Sequence, residues 1–401
     1  MALVAGVTAL AAGIGLSILL LGLQRVFASA PTLWHQNDEP ITDTSLTVVI
    51  PAFNEADNIE GCLTHVLMSD KPCSHWEVFV VDDQSSDNTV KIAEQTIGIV
   101  AGADQPSAAV LQAGPRPKGE RWVGKNWGCS QAMEQIRSEW VLFIDADVTL
   151  APDAIRRALQ QSINEKADLF SLAPRLTCGC LAEWMVQPIM ASLLGLGFPI
   201  LEANDPASTV AFAAGPFMLF RRNSYNTIGG HRALAGEVVE DLALARRIKE
   251  GGFRLRYVLG IDAVNLQMYA NLEALWEGWS KNWFLGLDRS ISKSLGAGGV
   301  VLLMFTLPWL LLPTSLTMAF LSNQDQILWL CDAGFAFIAI LMQLGVRLWT
   351  RTRFSVPLRH WWLMGIGGVI IGLIAPTSVW KSLTGRGWTW KGRSLAEAHE
   401  L

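Results

Sequence analysis

Four long apolar segments, one near the amino end and three near the carboxyl end, constrain this chain more than any other feature. They are residues 2–23, 294–324, 327–346 and 361–380. The last three contain a single charged residue, Asp332, and the first contains none. Each approaches or exceeds the roughly 20 residues that a helix needs to cross a bilayer. The chain is therefore predicted to be an integral membrane protein, with an uncleaved anchor at residues 1–26 and a carboxyl-terminal transmembrane region at residues 294–380.

The composition supports this division. The chain is 51% hydrophobic and only 17% charged, whereas ordinary soluble domains are about one quarter charged. Residues 40–290 alone have a soluble composition and are long enough for one large α/β domain. The six cysteines show no paired metal spacing, so they are predicted to be reduced thiols in the cytosol.

Basic residues collect beside the apolar segments, at residues 345–360 and in the tail at 381–401. Such clusters mark the cytoplasmic face of membrane proteins, and no nucleic-acid partner is predicted. If residues 361–380 cross fully, however, the tail ends outside, against the charge bias. Either the proline-containing run 294–324 is bent or folded as a hairpin, or 361–380 is re-entrant. We favour a cytosolic tail.

Three segments of the middle region repeat one plan, an apolar run followed by a polar loop and an amphipathic helix. The runs are Thr47 to Ile50, Val78 to Val81 and Trp140 to Ile144, and the polar residues after them are Asn54, Glu55, Asp82, Asp83, Asp145 and Asp147. This spacing indicates βαβ units and a parallel sheet that is buried on both faces. Because ligands bind at the carboxyl ends of such strands, the polar residues are predicted to line one site.

Two acidic pairs suggest a chemistry for that site. Asp145 and Asp147 lie where the chain turns after a strand, so both carboxylates can approach one cation. Carboxylate oxygens suit Mg²⁺ or Mn²⁺, especially where a diphosphate supplies the remaining ligands. Helix N-capping is the alternative for this pair. Glu240 and Asp241 begin a predicted helix that ends at Gly251, and the helix dipole alone also favours acidic residues there.

Six segments, in this order, resemble the family 2 inverting glycosyltransferases, which have the GT-A nucleotide-sugar-binding fold. The segments are VVIPAFNEADNI, VFVVDDQSSDNT, RWVGKNWGCSQA, LFIDADVTLAPDAI, GGHRALAGEVVEDLALARRIKEGG and WEGWSKNWF, between residues 48 and 284. The flanking apolar segments and the terminal GRGWTWKGR resemble the membrane branch that glycosylates lipids. That branch includes carotenoid, hopanoid-associated and ceramide glucosyltransferase-like proteins, and GGH…VVEDLALA and WKGR favour the carotenoid group.

The resemblance implies roles for individual residues. The donor-binding residues would be Pro51, Ala52, Asn54, Glu55, Asp82, Asp83, Lys125 and Asp145. Within this set, Asp83 would contact the nucleobase and Lys125 would approach the donor. Asp147 would ligate the Mg²⁺ or Mn²⁺ ion directly, and Asp145 would contact the ribose or the metal.

The resemblance also implies the reaction. Asp241, with Glu240 beside it, would take the proton from an acceptor hydroxyl as that oxygen attacks the anomeric carbon of a UDP- or GDP-sugar. The nucleoside diphosphate would leave from the opposite face, so the configuration would invert. The partners would be the nucleotide sugar, a lipid acceptor and the membrane, and the catalytic domain would lie on the cytosolic side of the cytoplasmic (or thylakoid) membrane.

One departure from the family concerns the acceptor. Polysaccharide-forming relatives carry Gln-X-X-Arg-Trp after the base, whereas this chain has WEGWSKNW. Trp279 and Lys281 are the nearest matches, as an aromatic platform and a cation for the acceptor, and interfacial anchoring is the alternative for the tryptophan. The exchange favours a single transfer to a lipid over polymer synthesis. Residues 182–201 are predicted either to lie at the membrane interface as an acceptor groove or to pack as a buried helix pair.

Two rival functions remain at this level. The same chemistry on a hopanoid, a sphingolipid-like lipid or a polyprenyl phosphate keeps every residue role and changes only the acceptor. A non-catalytic membrane scaffold with this fold is the other rival. It would not need the four acidic residues to which the resemblance assigns roles, namely Asp83, Asp145, Asp147 and Asp241.

Overall fold

The computed structural model describes residues 1–35, 40–102, 105–322, 324–354 and 356–394. Within them the chain divides into two compact units. The sheet unit contains residues 29–175 and 198–267, and the membrane unit contains residues 1–28, 176–197 and 268 onwards. The predicted domain 40–290 thus includes two segments that pack in the membrane unit. The last part of the predicted tail, residues 395–401, lies outside the described residues.

The helices and strands are as follows. The helices are α1 Ala2–Ala28, α2 Ile59–Leu67, α3 Thr89–Val100, α4 Gly124–Gln135, α5 Ala154–Asn164, α6 Leu181–Gly197, α7 Ile200–Asn204, α8 Arg222–Thr227, α9 Glu240–Glu250, α10 Leu272–Gly286, α11 Ile291–Val301, α12 Leu307–Leu321, α13 Gln326–Phe354 and α14 Met364–Thr384. The strands are β1 Ile41–Ala52, β2 Cys73–Asp82, β3 Ser107–Gln112, β4 Trp140–Ile144, β5 Val148–Leu150, β6 Leu169–Ala173, β7 Arg175–Leu176, β8 Phe217–Arg221, β9 Leu255–Leu259, β10 Val264–Leu266, β11 Thr389–Trp390 and β12 Arg393–Ser394.

A seven-stranded sheet forms the centre of the sheet unit, in the order β3-β2-β1-β4-β8-β6-β9. β1 to β4 pair in parallel, as do β6 and β9. β8 is antiparallel to both of its neighbours. The apolar runs predicted as strands lie in the middle of this sheet, and all five residues of β4 are buried. The predicted α/β fold is confirmed, although the sheet is mixed rather than wholly parallel.

The strand register determines where the acidic loops lie. Ala52 at the end of β1 pairs with Asp82 at the end of β2, and β4, on the other side of β1, ends at Ile144. β8 runs in the opposite direction, so its first residue, Phe217, pairs with Ile144. The loops after β1, β2 and β4 and the loop before β8 therefore meet at one edge of the sheet.

Among the described residues, four helical stretches are long and apolar enough to cross a membrane: residues 2–28, 291–321, 326–354 and 361–384. The stretch 291–321 is continuous, because a π-helical turn, Leu302–Thr306, joins α11 to α12. The hairpin considered for this run is therefore wrong.

A buried glutamine supports the π-helical turn. Pro308 has no N–H, so it cannot bond to the carbonyl group one turn earlier in the helix. The Nε2 of Gln343 donates to the carbonyl oxygens of Met304 and Phe305, at 2.9 and 3.0 Å. The Oε1 of the same side chain accepts from the Nε1 of Trp309 at 2.8 Å. No water reaches backbone groups in an apolar environment, so the Gln343 side chain supplies the hydrogen bonds that these two carbonyl oxygens would otherwise lack.

The direction of each helix follows from its contacts. In the pair α1 and α13, Gly6 packs on Asp332, and Phe27 contacts the ring of Phe354 at 5.3 Å. These two helices therefore run parallel. α13 runs antiparallel to the 291–321 stretch, because Trp329, near the start of α13, packs with Ala319, near the end of that stretch, and Gln343, further along α13, bonds to its middle.

α14 begins beside the middle of the 291–321 stretch. The Oγ1 of Thr306, in the middle of the 291–321 stretch, donates to the carbonyl oxygen of Gly365 at 2.9 Å, and Gly298, near its start, packs on Ala375. α14 therefore runs from the middle of that stretch back toward its beginning, parallel to α13. This course is compatible with the re-entrant alternative, which stays a prediction. It leaves the carboxyl ends of α1, α13 and α14 on one side of the unit, together with the start of α11.

We predict that residue 386 is accessible from the same side of the membrane as residue 353, because α14 runs parallel to α13 and both helices end on the same side of the membrane unit. Single cysteines at Arg386, Arg353 and Gln324, in a background without reactive native cysteines, can be labelled in intact cells and in inverted vesicles with an impermeant maleimide. Positions 386 and 353 should label alike, and position 324 should show the opposite sidedness. Labelling of 386 together with 324 would contradict the arrangement.

Candidate active site

The loops after β1 and β2 are fastened to each other. The backbone N–H of Asn54 donates to the Oγ of Ser85 at 2.9 Å, and the Oδ1 of Asn54 accepts from the N–H of Ser86 at 2.8 Å. Asn54 has a φ of 51°, a left-handed conformation that asparagine tolerates better than most residues. The N–H of Glu55 donates to the Oγ1 of Thr89 at 2.8 Å. These loop contacts form a defined rim beyond Pro51 and Ala52 at the end of β1.

The two aspartates at the end of β2, Asp82 and Asp83, differ in their hydrogen-bond and ion-pair partners. Both carboxylates of the pair are almost fully buried. Asp82 accepts the backbone N–H of Ser85 at 3.2 Å, which stabilises the turn. Asp83 contacts the Nη2 of Arg116 at 2.5 Å, and Arg116 follows the end of the adjacent strand β3. Asp83 therefore carries a guanidinium partner that the sequence interpretation did not include.

Lys125 joins two of the acidic segments. Its Nζ lies 2.6 Å from the Oδ1 of Asp145, after β4, and 2.6 Å from the Oε1 of Glu240, the first residue of α9. Burial disfavours the charged amine, but the two carboxylates outweigh that effect and hold the pKa of Lys125 well above its ordinary value. Lys125 is therefore a permanent cation in the site. Next to it, the Nδ2 of the buried Asn126 donates to the carbonyl oxygens of Leu234 and Glu237 and fixes the chain before α9.

Asp241 is held at the start of α9. Its Oδ1 accepts from the N–H of Leu242 at 2.7 Å, and its Oδ2 accepts from the N–H of Gly215 at 3.2 Å. Burial, and secondly the charge of Glu240, raise the pKa of Asp241 to about 6, against the lowering effect of Lys125. A carboxylate with this pKa is ionised at neutral pH and basic enough to accept a proton.

Gly215 brings the backbone close to both charges. A Cβ at this position would lie 3.2 Å from the Oδ2 of Asp241 and 3.5 Å from the Nζ of Lys125. A larger residue would therefore press on both groups. Gly215 precedes β8 and reaches the site because β8 is antiparallel to its neighbours.

Asp147 fits a cation site. Its Oδ1 is buried and has no hydrogen-bond partner among the described residues. Burial, followed by the charges of Asp145 and Glu55, raises the pKa of Asp147 to about 8. A divalent cation would supply the missing partner and favour the ionised carboxylate. Within the described part of the chain no three His, Cys, Asp or Glu side chains are grouped to enclose a metal. The donor set therefore suits an ion that takes its remaining oxygen ligands from a substrate diphosphate.

The two predicted acceptor residues lie in the membrane unit. Trp279 is a core residue, 6% exposed, and its Nε1 donates to the Oε1 of Gln187 at 3.1 Å. The Nζ of Lys281 lies 4.0 Å from the ring centroid of Trp390 in the carboxyl-terminal hairpin. Their acceptor roles stay predictions. The uncertain segment 182–201 forms most of α6, a partly buried helix of this unit, and the start of α7; whether it lines an acceptor groove at the membrane interface stays a prediction.

Three residues of the site were missed by the sequence interpretation, namely Arg116, Asn126 and Gly215. Arg116 follows an apolar run, so the same strand-end rule could have found it. Asn126 adjoins Lys125 in a quoted motif, but its contacts lie more than one hundred residues away along the chain. Gly215 had no signal, because nothing in the sequence indicated that β8 is antiparallel.

Comparison with known proteins agrees with this geometry. The profile of the family described as "Glycosyl transferase family 2" matches residues 47–229. The chain is 26% identical over 268 residues to a 4,4'-diaponeurosporenoate glycosyltransferase of Staphylococcus aureus strain bovine RF122 / ET3-1. That match covers 65% of this chain and 66% of the relative. The enzyme of the same name from strain USA300 is 26% identical over 264 residues, with the same coverage.

Among solved structures, the chain is similar to the mannosyltransferase PcManGT from Pyrobaculum calidifontis, which was solved with GDP-mannose and Mn²⁺. The TM-score is 0.50 and the identity 16%, and the match covers 94% of this chain and 99% of that one. This likeness shows the fold. With the sheet order, the acidic edge and the family match over residues 47–229, it confirms the GT-A fold and agrees with the predicted resemblance to the family 2 glycosyltransferases.

Proposed function

We propose that this chain is a membrane-bound inverting glycosyltransferase that moves a sugar from a nucleotide-sugar donor to a hydroxyl group of a lipid, with a carotenoid as the favoured acceptor class. The observation that carries the proposal is the cluster around Lys125, which gathers Asp145 and Glu240, with Asp241 adjoining it, at the carboxyl edge of the sheet. The names of the S. aureus relatives support the carotenoid class.

The donor would bind along the rim formed by the loops after β1 and β2. PcManGT was solved with GDP-mannose and Mn²⁺, which supports a nucleotide diphosphate sugar and a divalent ion for this chain too. Asp147 would ligate the Mg²⁺ or Mn²⁺ ion, and Asp145 would contact the ribose or the metal. When bound, the ion would neutralise charge on the leaving diphosphate.

The transfer step would use Asp241. Its carboxylate would accept the acceptor's proton while the hydroxyl oxygen attacks the anomeric carbon and the bond to the diphosphate breaks. Glu240 stays paired with Lys125, so it would act by positioning that cation rather than as a second base. The cation would stabilise negative charge near the leaving group. Attack from the opposite face inverts the configuration, and no covalent enzyme intermediate is needed.

The orientation in the membrane can be argued from charge. The carboxyl ends of α1, α13 and α14 lie on one side of the membrane unit, and each is basic in its last turn, with Arg25, Arg351, Arg353 and Lys381. An excess of Lys and Arg marks the cytoplasmic side. We therefore propose that this side, and the catalytic domain with it, faces the cytosol, where nucleotide sugars are found.

A second acceptor chemistry is supported by the relatives' name. The ending of diaponeurosporenoate denotes a carboxylate, and a carboxylate is already ionised at neutral pH. Transfer to such a group would form a sugar ester and would need no general base.

Hopanoid, sphingolipid-like and polyprenyl phosphate acceptors remain the alternatives to a carotenoid. With any of them the residues proposed to bind the donor would stay the same.

The metal role of Asp147 can be tested on the purified full-length chain. Mn²⁺ with UDP or GDP should raise the melting temperature, because a ligand at one hundred times its Kd stabilises by about 2.7 kcal/mol. Asp147→Asn should abolish the metal-dependent part, and the exposed control Asp43→Asn should not. Since the pKa of Asp147 is raised to about 8, the metal effect should weaken as the pH falls below that value. An undiminished shift in Asp147→Asn would contradict the assignment.

The base role of Asp241 predicts both a rate loss and a pH profile. Asp241→Asn should lower kcat about 10² to 10⁴-fold, while Glu250→Gln, at the other end of the same helix, should leave it unchanged. Because the base must be ionised, wild-type kcat should fall as the pH drops through about 6. The measurement is initial rates of sugar transfer to a lipid acceptor across pH. A small loss without that acid limb would indicate a carboxylate acceptor instead.

The pair Asp83 and Arg116 predicts which nucleobases bind. Asp83 accepts a hydrogen bond and Arg116 donates one, so together they match an N–H beside a C=O, as in uracil and guanine. Adenine and cytosine present an amino N–H beside a ring nitrogen rather than a ring N–H beside a C=O, so they would meet the pair with a different edge and geometry. UDP or GDP should bind at least about tenfold more tightly than ADP and CDP, by calorimetry with Mn²⁺, since an unmatched buried polar group is costly. Asp83→Asn should reduce the preference and Arg137→Gln should not. Equal binding of all four nucleotides would refute this reading.

A further inference from the structure

Arg347 is a buried cation in the membrane unit. It lies on α13 one turn beyond Gln343 and is fully buried, at 0% exposure. Its Nη2 donates to the carbonyl oxygen of Arg359 at 3.3 Å. Its Nε and Nη1 have no hydrogen-bond partner within the part of the chain that the structure describes. Most of the hydrogen-bonding capacity of this guanidinium is therefore unused by the protein.

A charge in that state is expensive. Buried N–H groups without acceptors lose their water without replacement, and a charged residue inside a membrane segment is usually paired or functional. The neighbouring carboxylate of Glu183, on α6, is not the partner of Arg347. It accepts from the backbone N–H groups of Gly179 and Tyr269 at 2.8 and 2.9 Å. No ion pair joins Arg347 to a carboxylate among the described residues. The geometry calls for an anionic partner from outside the described residues.

The surroundings of Arg347 also favour an anion. The residues just after Arg359 form the start of the helical stretch 361–384, where His360 turns the chain with a φ of 60°. The N–H groups of Trp361 and Leu363 donate to the carbonyl oxygens of Leu358 and His360 at 3.2 and 3.0 Å, so what this helix start offers an anion is chiefly the positive end of its dipole. Trp184 packs on the guanidinium at 5.1 Å and on the His360 ring at 5.8 Å. Arg347 and the helix start thus converge at one place.

The position of Arg347 and the start of α14 within the membrane unit indicates that the ligand also has an apolar chain. α14 begins beside Thr306, at the middle of the 291–321 stretch. Trp362 and Ile366, at the same end, are 50% and 52% exposed, so the site borders the lipid-facing surface. A ligand that reaches it passes through apolar surroundings and needs an apolar chain.

We propose that Arg347, Trp184 and the start of α14 bind the acid group of an amphiphile, a carboxylate or a phosphate at the end of an apolar chain. The guanidinium would donate through Nε or Nη1, the nitrogens left without acceptors. Either of them forms a two-point contact with an acid group together with the N–H of Nη2 that the carbonyl oxygen of Arg359 does not use. The indole of Trp184 would hold the guanidinium plane in place. This inference does not depend on the proposed transfer reaction, because it concerns binding within the membrane unit alone.

Matched probes test the requirement for an acid group. The full chain in dodecyl maltoside is titrated with cis-parinaric acid, whose fluorescence rises in apolar sites, and with its methyl ester. Farnesyl monophosphate and farnesol are the second matched pair, used as competitors. At least one acid should bind about tenfold more tightly than its neutral partner, as expected for a charge-assisted hydrogen-bonded pair. Success with only parinarate identifies a carboxylate ligand, and success with only farnesyl phosphate identifies a phosphate ligand.

Variants at Arg347 test the assignment to this residue. Arg347→Gln should remove the preference for the acid, whereas Arg347→Lys, which keeps the charge without the planar fork, should keep part of it. Arg351→Gln is the matched control, because this exposed arginine lies one turn further along the same helix. Folding of each variant is followed by size-exclusion chromatography and thermal unfolding.

Three results would overturn the proposal. The first is equal binding of both acids and their neutral partners by the wild-type chain, a result that needs no variant. The second is an unchanged preference for the acid in folded Arg347→Gln, or in Arg351→Gln a loss as large as that expected at Arg347. The third is displacement of parinarate by millimolar inorganic phosphate, which would indicate an open aqueous anion site rather than one for amphiphiles.

Discussion

The ammonium group of Lys125 is the contact on which the candidate active site depends. It joins three elements that are distant along the chain: the first turn of α4, the loop after β4 and the start of α9. Without a cation between them, the carboxylates of Asp145 and Glu240 would repel each other in a partly buried place. The same cation limits the rise in the pKa of Asp241 and Asp147, which burial alone would take further. The site can therefore hold four carboxylates close together and still keep Asp241 ionised at neutral pH.

In the membrane unit, side-chain donors satisfy backbone carbonyl groups where the helices are irregular. Where Pro308 interrupts the hydrogen bonding of its helix, the Gln343 amide supplies the missing donor. Around the start of α14, beside the middle of the 291–321 stretch, Thr306 and Arg347 donate to the carbonyl groups of Gly365 and Arg359. Irregular backbone is tolerated at membrane depth only where protein groups satisfy it. Of these side chains, Arg347 alone retains unused donors, which is why it stands out from a set that is otherwise accounted for.

Much of this could be predicted from the sequence because the signals are local. Acidic residues at the end of a predicted strand indicate the edge of the sheet where a ligand binds. Three such strands in succession indicated a parallel α/β sheet. Asp82 shows the limit of that rule: it has the same position at a strand end as Asp83, yet its carboxylate is taken up by the N–H of Ser85. Trp279 shows another limit, because an amphipathic helix pattern does not tell whether a tryptophan faces lipid or Gln187.

The sequence by itself determined the membrane character, the fold class and the identity of the acidic residues, because hydropathy and strand-end chemistry are properties of short segments. Only the tertiary structure decided which charges are paired. The guanidinium of Arg116 meets Asp83, Gly215 reaches Asp241 through the antiparallel strand β8, and α14 returns to the side from which α11 starts. These facts depend on strand direction and helix packing between residues far apart in the chain, and no local pattern encodes them.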